Sequence, residues 1–337
     1  MMATVVLPPP VPELSVVIPT CGRPTLLRRC MEALLRQTYP AEAFEIIVVD
    51  DGRSADTQAA VQELAGRPGA PRIRYVMPPA GTKGPASARN AGWRASEAAV
   101  IAFTDDDTIP EPDWLEQGRA ALLKPGETRA AVWGHVRVPI PDRRPTDNER
   151  NTKGLEGATF VTANVFVRRA AMERVGGFDE RFKRAWREDT DLYFALIHAG
   201  LRVAPARDAV VLHPAREAPW GVSMKQQANM AFDALLYKKY PRLYREQVQP
   251  GPPWRYYLIV GCTLAAVVAL ALREPAWAAG FGAVALMGVA RLIWRRLRGA
   301  SLAPAHVSDM VLTSFALPFL SVYWRIRGAL RFKVLFW

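Results

Sequence analysis

Cysteine is scarce, with three residues in a chain of 337. Cys21, Cys30 and Cys262 are too few for a disulfide framework and lack the paired spacing of a zinc motif, which points to a reducing compartment. Histidine is nearly as rare, with four residues. No GxGxxG fingerprint follows a strand-like run and no GxxxxGK[ST] loop occurs, which disfavours dinucleotide-dependent dehydrogenases and P-loop enzymes. Internal repeats and long low-complexity segments are absent. The first residues, MMATVVLPPPVPE, lack the basic n-region of a signal peptide, so none is expected. Acids are outnumbered, 32 against 44 bases, for a formal charge of +12. The rest of the composition, 50% hydrophobic and 23% charged, is that of a globular protein and excludes disordered, collagen-like and coiled-coil classes. The length allows one large domain or two ordinary ones.

The excess charge is not spread evenly. Ten basic and two acidic residues lie beyond position 253, so +8 of the +12 belongs to the last quarter of the chain. That quarter is also the most apolar. YYLIVGCTLAAVVALAL carries no charge, and AWAAGFGAVALMGVARLIW is interrupted only by Arg291. Runs of about 17–20 residues suffice to cross a hydrocarbon core of about 30 Å. They read as a transmembrane hairpin, with spans at about 256–272 and 276–294; a pair of buried core helices is the blander reading. Tyr256, Tyr257, Trp277 and Trp294 stand at the ends, as interfacial aromatics do. Arg295, Arg296 and Arg298 follow the second span and mark its cytoplasmic side, which leaves the N-terminal body cytoplasmic too. A third apolar run, within about 307–324, ends in Arg325, Arg327, Arg331 and Lys333. A crossing there would put a basic cluster outside, and Pro318 is expected to break the segment, so an interfacial or re-entrant helix fits better than a third span. The charge thus reports membrane lipids rather than nucleic acid as the partner, in a multi-pass protein of the inner or plasma membrane.

The body alternates strand-like and helix-like runs. LSVVIPT, FEIIVVDDG, RIRYVMP and AVIAFTDDD read as strands; PTLLRRCMEALLRQ, a run containing Ala60, Val61 and Leu64, and PASARNAGWRAS read as helices. This alternation predicts a parallel, doubly wound α/β sheet. Ligands of such sheets sit beyond the carboxyl ends of the strands. Three strand ends are polar there: Thr20 to Arg23, Asp50 with Asp51, and Asp105 to Asp107.

Each end suggests a role and a plainer alternative. Asp105 and Asp107 suit a hard divalent cation such as Mg²⁺ or Mn²⁺, or simply a solvated turn. Asp50 and Asp51 could accept hydrogen bonds from a ribose or base edge, or shape the turn at Gly52. Arg89 and Asn90 follow Gly81, Lys83 and Gly84 into a helix, a loop suited to a diphosphate. Glu188 and Asp189 precede a helix, where an acid is stabilised or serves as a general base. His213 closes LRVAPARDAVVLH, as a structural histidine or a ligand of metal or phosphate.

Taken together, SVVIPTCGR, IIVVDDGRS, GPASARNAG, FTDDDTIPEPDWL, VGGFDERF and EDTDL resemble the family 2 glycosyltransferases, over about 14–213. The resemblance implies a GT-A fold, a Rossmann-like mixed sheet, with a nucleotide-diphosphate-sugar donor, a divalent cation and inversion at the anomeric carbon. It places Thr20, Arg23, Asp50, Asp51, Arg89, Asn90 and Asp106 at the nucleotide, Asp105, Asp107 and His213 at the metal, and Asp189, with Glu188, at the catalytic base. The QxxRW motif of processive synthases is missing, since Gln226-Gln227 is not followed by Arg-Trp, which favours single transfer.

The resulting organisation is a tail (1–13), a catalytic domain (14–215), an interfacial segment (216–253) and a membrane region (254–337). MKQQANMAFDALLYKKYPRLYRE reads as one amphipathic helix near an anionic surface or as an ordinary surface helix. The expected acceptor is a hydroxyl of a lipid-linked or cell-surface glycan; the insert HVRVPIPDRRPTDNERNTKG argues mildly for a large one. A polyprenyl-phosphate acceptor is the nearest alternative. A nucleotidyltransferase would need a glycine-rich signature after the first strand, and an inactive binding module would have lost Asp107 or Asp189.

Overall fold

Strands β1 (Leu14–Thr20) and β2 (Phe44–Asp50) are buried at every position, as their unbroken β-branched runs require. They lie at the heart of one of two units in the computed structural model, which describes residues 11–336. The first unit comprises Met1–Val138 and Leu155–Pro214; the second comprises Pro139–Gly154 and Ala215–Trp337.

In the first unit, helix α1 (Pro24–Leu34) starts on a proline whose missing N–H costs nothing there. Helix α2 (Ala55–Ala65) starts from Ser54, whose Oγ accepts from the Thr57 N–H. Strand β3 (Arg72–Val76), helix α3 (Pro85–Ala95) and strand β4 (Val100–Phe103) follow. Next come β5 (Ile109–Pro110), α4 (Trp114–Leu122) and β6 (Ala131–Arg137). Helix α5 (Asp147–Lys153) belongs to the second unit. Then the first unit resumes with β7 (Val165–Arg168), α6 (Arg169–Val175), α7 (Glu188–His198) and β8 (Val203–Leu212).

The sheet order is β3-β2-β1-β4-β7-β6-β8-β5. Strands β1 to β4 pair in parallel, as their alternation with helices predicts. The sheet is nevertheless mixed: β7 runs antiparallel to both β4 and β6, and β5 runs antiparallel to β8. The parallel alternation thus holds for β1 to β4, and beyond β4 the sheet is mixed, as the resemblance implies.

Chain order reverses between β1 and β4, which opens a crevice at their carboxyl ends. Strand β8 pairs parallel with β6, so its own carboxyl end reaches the same edge. The β5–β8 register sets Ile109 against Leu212. Two residues past Asp107 thus face the residue before His213, which brings an imidazole to an acidic cluster 106 positions earlier in the chain.

Helix α4 closes on this sheet through Gly118, where a Cβ would collide with the ring of buried Phe166. That ring is packed against Trp114, centroid to centroid 4.8 Å, and has no room to retreat. Gly118→Ala should cost about 1–3 kcal/mol by overpacking. A thermal unfolding midpoint equal to or above that of the parent protein would contradict this packing.

In the second unit, α8 (Val222–Gln226), α9 (Met230–Lys239) and α10 (Pro241–Gln247) lead to α11 (Trp254–Ala271), α12 (Pro275–Leu297) and α13 (Pro304–Phe332). The expected single helix over 224–246 is broken: a 3-10 turn occupies Gln227–Asn229, and Pro241 restarts the chain after Tyr240. Pro318, expected to end its segment, instead lies inside α13, where it is buried with its neighbours Leu317 and Ser321. Packing of that face outweighs the one lost backbone hydrogen bond. Helices α11, α12 and α13 are each long and apolar enough to cross a membrane.

The excursion 139–154 is tied into this unit rather than left as a loose insert. A reciprocal capping box joins Thr146 and Glu149 at the start of α5. Arg296, buried near the end of α12, pairs with Asp147 at 3.1 Å and donates to Ser223, Thr313 and Ser314.

Candidate active site

The crevice between β1 and β4 is lined from both sides. Thr20, the last residue of β1, donates to Asp106 Oδ2 at 2.6 Å. Arg23 reaches the other Asp106 oxygen at 3.0 Å and Asp107 Oδ2 at 3.8 Å. Asp105, Asp107 and His213 each offer a ligand atom within 4.8 Å of the others. His213 Nε2 lies 3.6 Å from Asp107 Oδ1, and its buried Nδ1 has no hydrogen-bond partner. Two hard oxygen donors and an imidazole suit Mn²⁺, or Mg²⁺ completed by water and phosphate. The residues therefore fit a divalent cation.

Behind this cluster, Arg89 is 3% exposed and bridges two acids. Its Nη2 donates to Asp105 Oδ1 at 2.7 Å and its Nη1 to Glu188 Oε1 at 3.0 Å. The guanidinium lies over the Phe178 ring at 5.8 Å. Glu188 and Asp189 open α7, which starts from Arg187 in the left-handed region at φ +73°. A non-glycine residue there stores strain, and this one turns the chain so that both acids enter the first helical turn. Glu188 is buried and its Oε2 has no partner. Asp189 is half-buried, with Oδ1 accepting from the Thr190 N–H at 2.6 Å and from its hydroxyl at 3.2 Å.

The electrostatics separate these acids. Burial would raise Asp105, but the charges of Arg89, His213 and Arg23 outweigh it and hold its carboxyl below the usual range. Burial pushes Asp106 up to about 6, against the pull of Arg23 and Thr20. Burial also pushes Glu188 up to about 7, opposed by Arg89 and reinforced by Asp189. Asp189 is raised for the same first reason, with the Thr190 N–H and Arg187 opposing. An ionised carboxylate within the cation cluster and a raised pair at the start of α7 give the crevice two distinct chemical ends.

Three of the expected residues already have partners within the fold. Both Asp50 oxygens are engaged, Oδ1 by the Gly52 N–H at 2.8 Å, Oδ2 by the Ser54 N–H at 2.7 Å and the Tyr75 hydroxyl at 2.9 Å. That is the turn-shaping use of the residue. Asp51 accepts from the Gly84 N–H at 2.9 Å and so ties the end of β2 to the start of α3. Asn90 turns the other way. Its Nδ2 donates to the Phe178 carbonyl and Glu180, and its Oδ1 accepts from the Phe178 N–H and Trp93 Nε1, all at 2.9 Å. Its amide is thereby saturated and holds the Gly177–Phe178 turn. Sequence reasoning missed Tyr75, Phe178 and Arg187. Phe178 lies in VGGFDERF, which carries the resemblance without giving its ring a role; no local signal marks Tyr75, and a left-handed Arg leaves no trace in composition.

Residues 15–182 match the Glycosyl transferase family 2 model. The chain carries a family 2 glycosyltransferase domain. Glycosyltransferase AglE of Haloferax volcanii is 29% identical over 224 residues, covering 64% of this chain and 71% of its own length. Validoxylamine A glucosyltransferase of Streptomyces hygroscopicus is 30% identical over 233 residues, 59% of this chain and 54% of its own. A GalNAc(5)-diNAcBac-PP-undecaprenol beta-1,3-glucosyltransferase of Campylobacter jejuni is 31% identical over 158 residues, 46% and 48% respectively. The chain thus spans about half the length of the last two. Among solved structures, the mannosyltransferase PcManGT of Pyrobaculum calidifontis, in complex with GDP-Man and Mn²⁺, superposes with a TM-score of 0.56 at 20% identity, over 96% of this chain and 87% of that one. That likeness shows the fold, a GT-A domain.

Proposed function

We propose that this glycosyltransferase moves a sugar from a nucleotide-diphosphate donor to a hydroxyl of a membrane-associated glycan, with inversion and one transfer per encounter. The observation that carries the reading is the meeting, at one sheet edge, of the Asp105–Asp107–His213 cluster with the Arg89–Glu188 pair and Asp189. Asp105, Asp107 and His213 would hold the divalent cation. When bound, the ion neutralises charge that develops on a diphosphate leaving group. Arg23 and Thr20 orient Asp106 beside it. Asp189, with Oδ1 held by Thr190, presents its remaining oxygen to take the proton of an attacking hydroxyl. Alignment of that hydroxyl with the anomeric carbon is the larger part of the work, and a fixed first helical turn supplies it.

The acceptor reading is supported by the three apolar helices and by the lipid-linked substrate in the name of the Campylobacter relative. The basic residues after α12 support a cytoplasmic face of an inner or plasma membrane. Release of nucleotide from a panel of donor sugars, with Mn²⁺ and with or without membrane lipid extract, tests the whole reading. Release that ignores both Mn²⁺ and the extract would refute it. Asp107→Ala should abolish Mn²⁺-dependent donor binding by calorimetry, because it removes one of three clustered ligands; unchanged affinity would contradict the assignment.

A further inference from the structure

Helix α13 passes the length and hydropathy requirements of a span, but its packing inside the second unit argues for a different placement. Its buried positions are Met310, Thr313, Ser314, Leu317, Pro318, Ser321, Val322, Arg325 and Gly328, one continuous stripe at helical spacing. Four of these are polar. The opposite face exposes Leu312, Phe315, Phe319, Ile326 and Leu330. The helix thus buries a mixed face that includes Thr313, Ser314, Ser321 and Arg325 and turns an apolar face outward, the reverse of a helix on a soluble surface.

What covers the mixed face runs alongside α13 in the same direction. The Gly221 N–H donates to Asp309 at 3.1 Å. Arg296 joins Ser223 to Thr313. A Cβ at Gly328 would meet the Ala231 backbone, 2.5 Å from its carbonyl oxygen. Lys238 Nζ donates to the Phe332 carbonyl at 2.7 Å. Positions 309 to 332, about 35 Å of helix, are therefore matched along their length by 221 to 238. If α13 crossed a bilayer, that companion would cross with it. The companion carries Lys225, Gln226, Gln227, Asn229 and Asp233 and is interrupted by a 3-10 turn, which hydrocarbon does not tolerate at such density.

We propose that α13 lies in the plane of the membrane, its Leu312–Phe319–Leu330 face pressed into the boundary between headgroups and acyl chains of an anionic leaflet, and that only α11 and α12 span. The charges fit that occupant: Arg327, Arg331, Lys333 and Lys238 are exposed around the far end of α13. The inference goes beyond the glycosyltransferase reading and does not depend on it, since it concerns only how the second unit meets lipid.

The test uses the full chain with Cys21→Ser and Cys262→Ala, which leaves only the buried Cys30. Leu302→Cys and Leu335→Cys, both at exposed positions, are treated with a membrane-impermeant maleimide in spheroplasts and in inverted vesicles of the expressing cells. In-plane placement predicts that both positions react in the same preparation and neither in the other. Spin labels at Leu312→Cys, Phe319→Cys and Leu330→Cys, in vesicles of phosphatidylglycerol and phosphatidylethanolamine, should then report equal shallow depths. Labelling in opposite preparations, a position 319 deeper than 312 and 330, or a chain not retained by the vesicles would each overturn the proposal.

Discussion

Asp189→Asn should lower kcat by about 10²–10⁴-fold, the usual contribution of a general base, while donor affinity with Mn²⁺ stays within about twofold. The asparagine keeps the shape and the hydrogen bonds to Thr190 but cannot take a proton. The two readouts separate a base from a ligand, because Asp189 is not among the clustered cation ligands. Turnover within tenfold of the parent enzyme would remove Asp189 from the role and pass it to Glu188, whose Oε2 is buried without a partner. The pH profile offers a second reading. Burial raises both acids, with Glu188 at about 7. They titrate as a pair. The base works only when ionised, so kcat/KM should fall as pH is lowered, with its inflection above the value of a free carboxylate at about 4. A flat profile between pH 5 and 8 would place the base elsewhere.

Much of the first unit was legible because its strands are buried on both faces and read as unbroken apolar runs. β1, β2 and β4 announce themselves in this way, and the acids at their ends follow from where the apolar run stops. What periodicity cannot state is strand direction. β7 (VFVR) is a four-residue run like any other, and only its partners β4 and β6 make it antiparallel. Side-chain role is similarly hidden. Asp50 and Asp51 are adjacent acids at one strand end, yet one is spent on a turn and a tyrosine while the other fastens a helix start. Asn90 and Arg89 are neighbours on α3, and a rotation of about 100° per residue sends one to the Phe178 turn and the other to the acids. The proline at 318 misled for a related reason: local propensity predicts a break, and a buried helix face overrides it.

Arg89 is where the expected and observed roles diverge most, and a substitution separates them. The sequence placed it at the ribose or diphosphate. In the structure its Nη groups are engaged by Asp105 and Glu188, and it is buried between them. Arg89→Met keeps much of the volume and removes the charge. Glu188 would then be left buried without its cation, and Asp105 would lose the strongest charge holding it ionised. Removing one partner of a buried ion pair costs about 3–5 kcal/mol. A fall of that size in unfolding free energy, with Mn²⁺-dependent donor binding weakened through Asp105, is the expected result. Arg89→Lys restores a charge but not the fork that reaches two carboxylates at once, so it should recover only part of the stability. If instead both variants unfold like the parent protein and lose donor affinity alone, Arg89 acts on the diphosphate directly. The bridge between the cation cluster and the start of α7 would then be incidental to the fold.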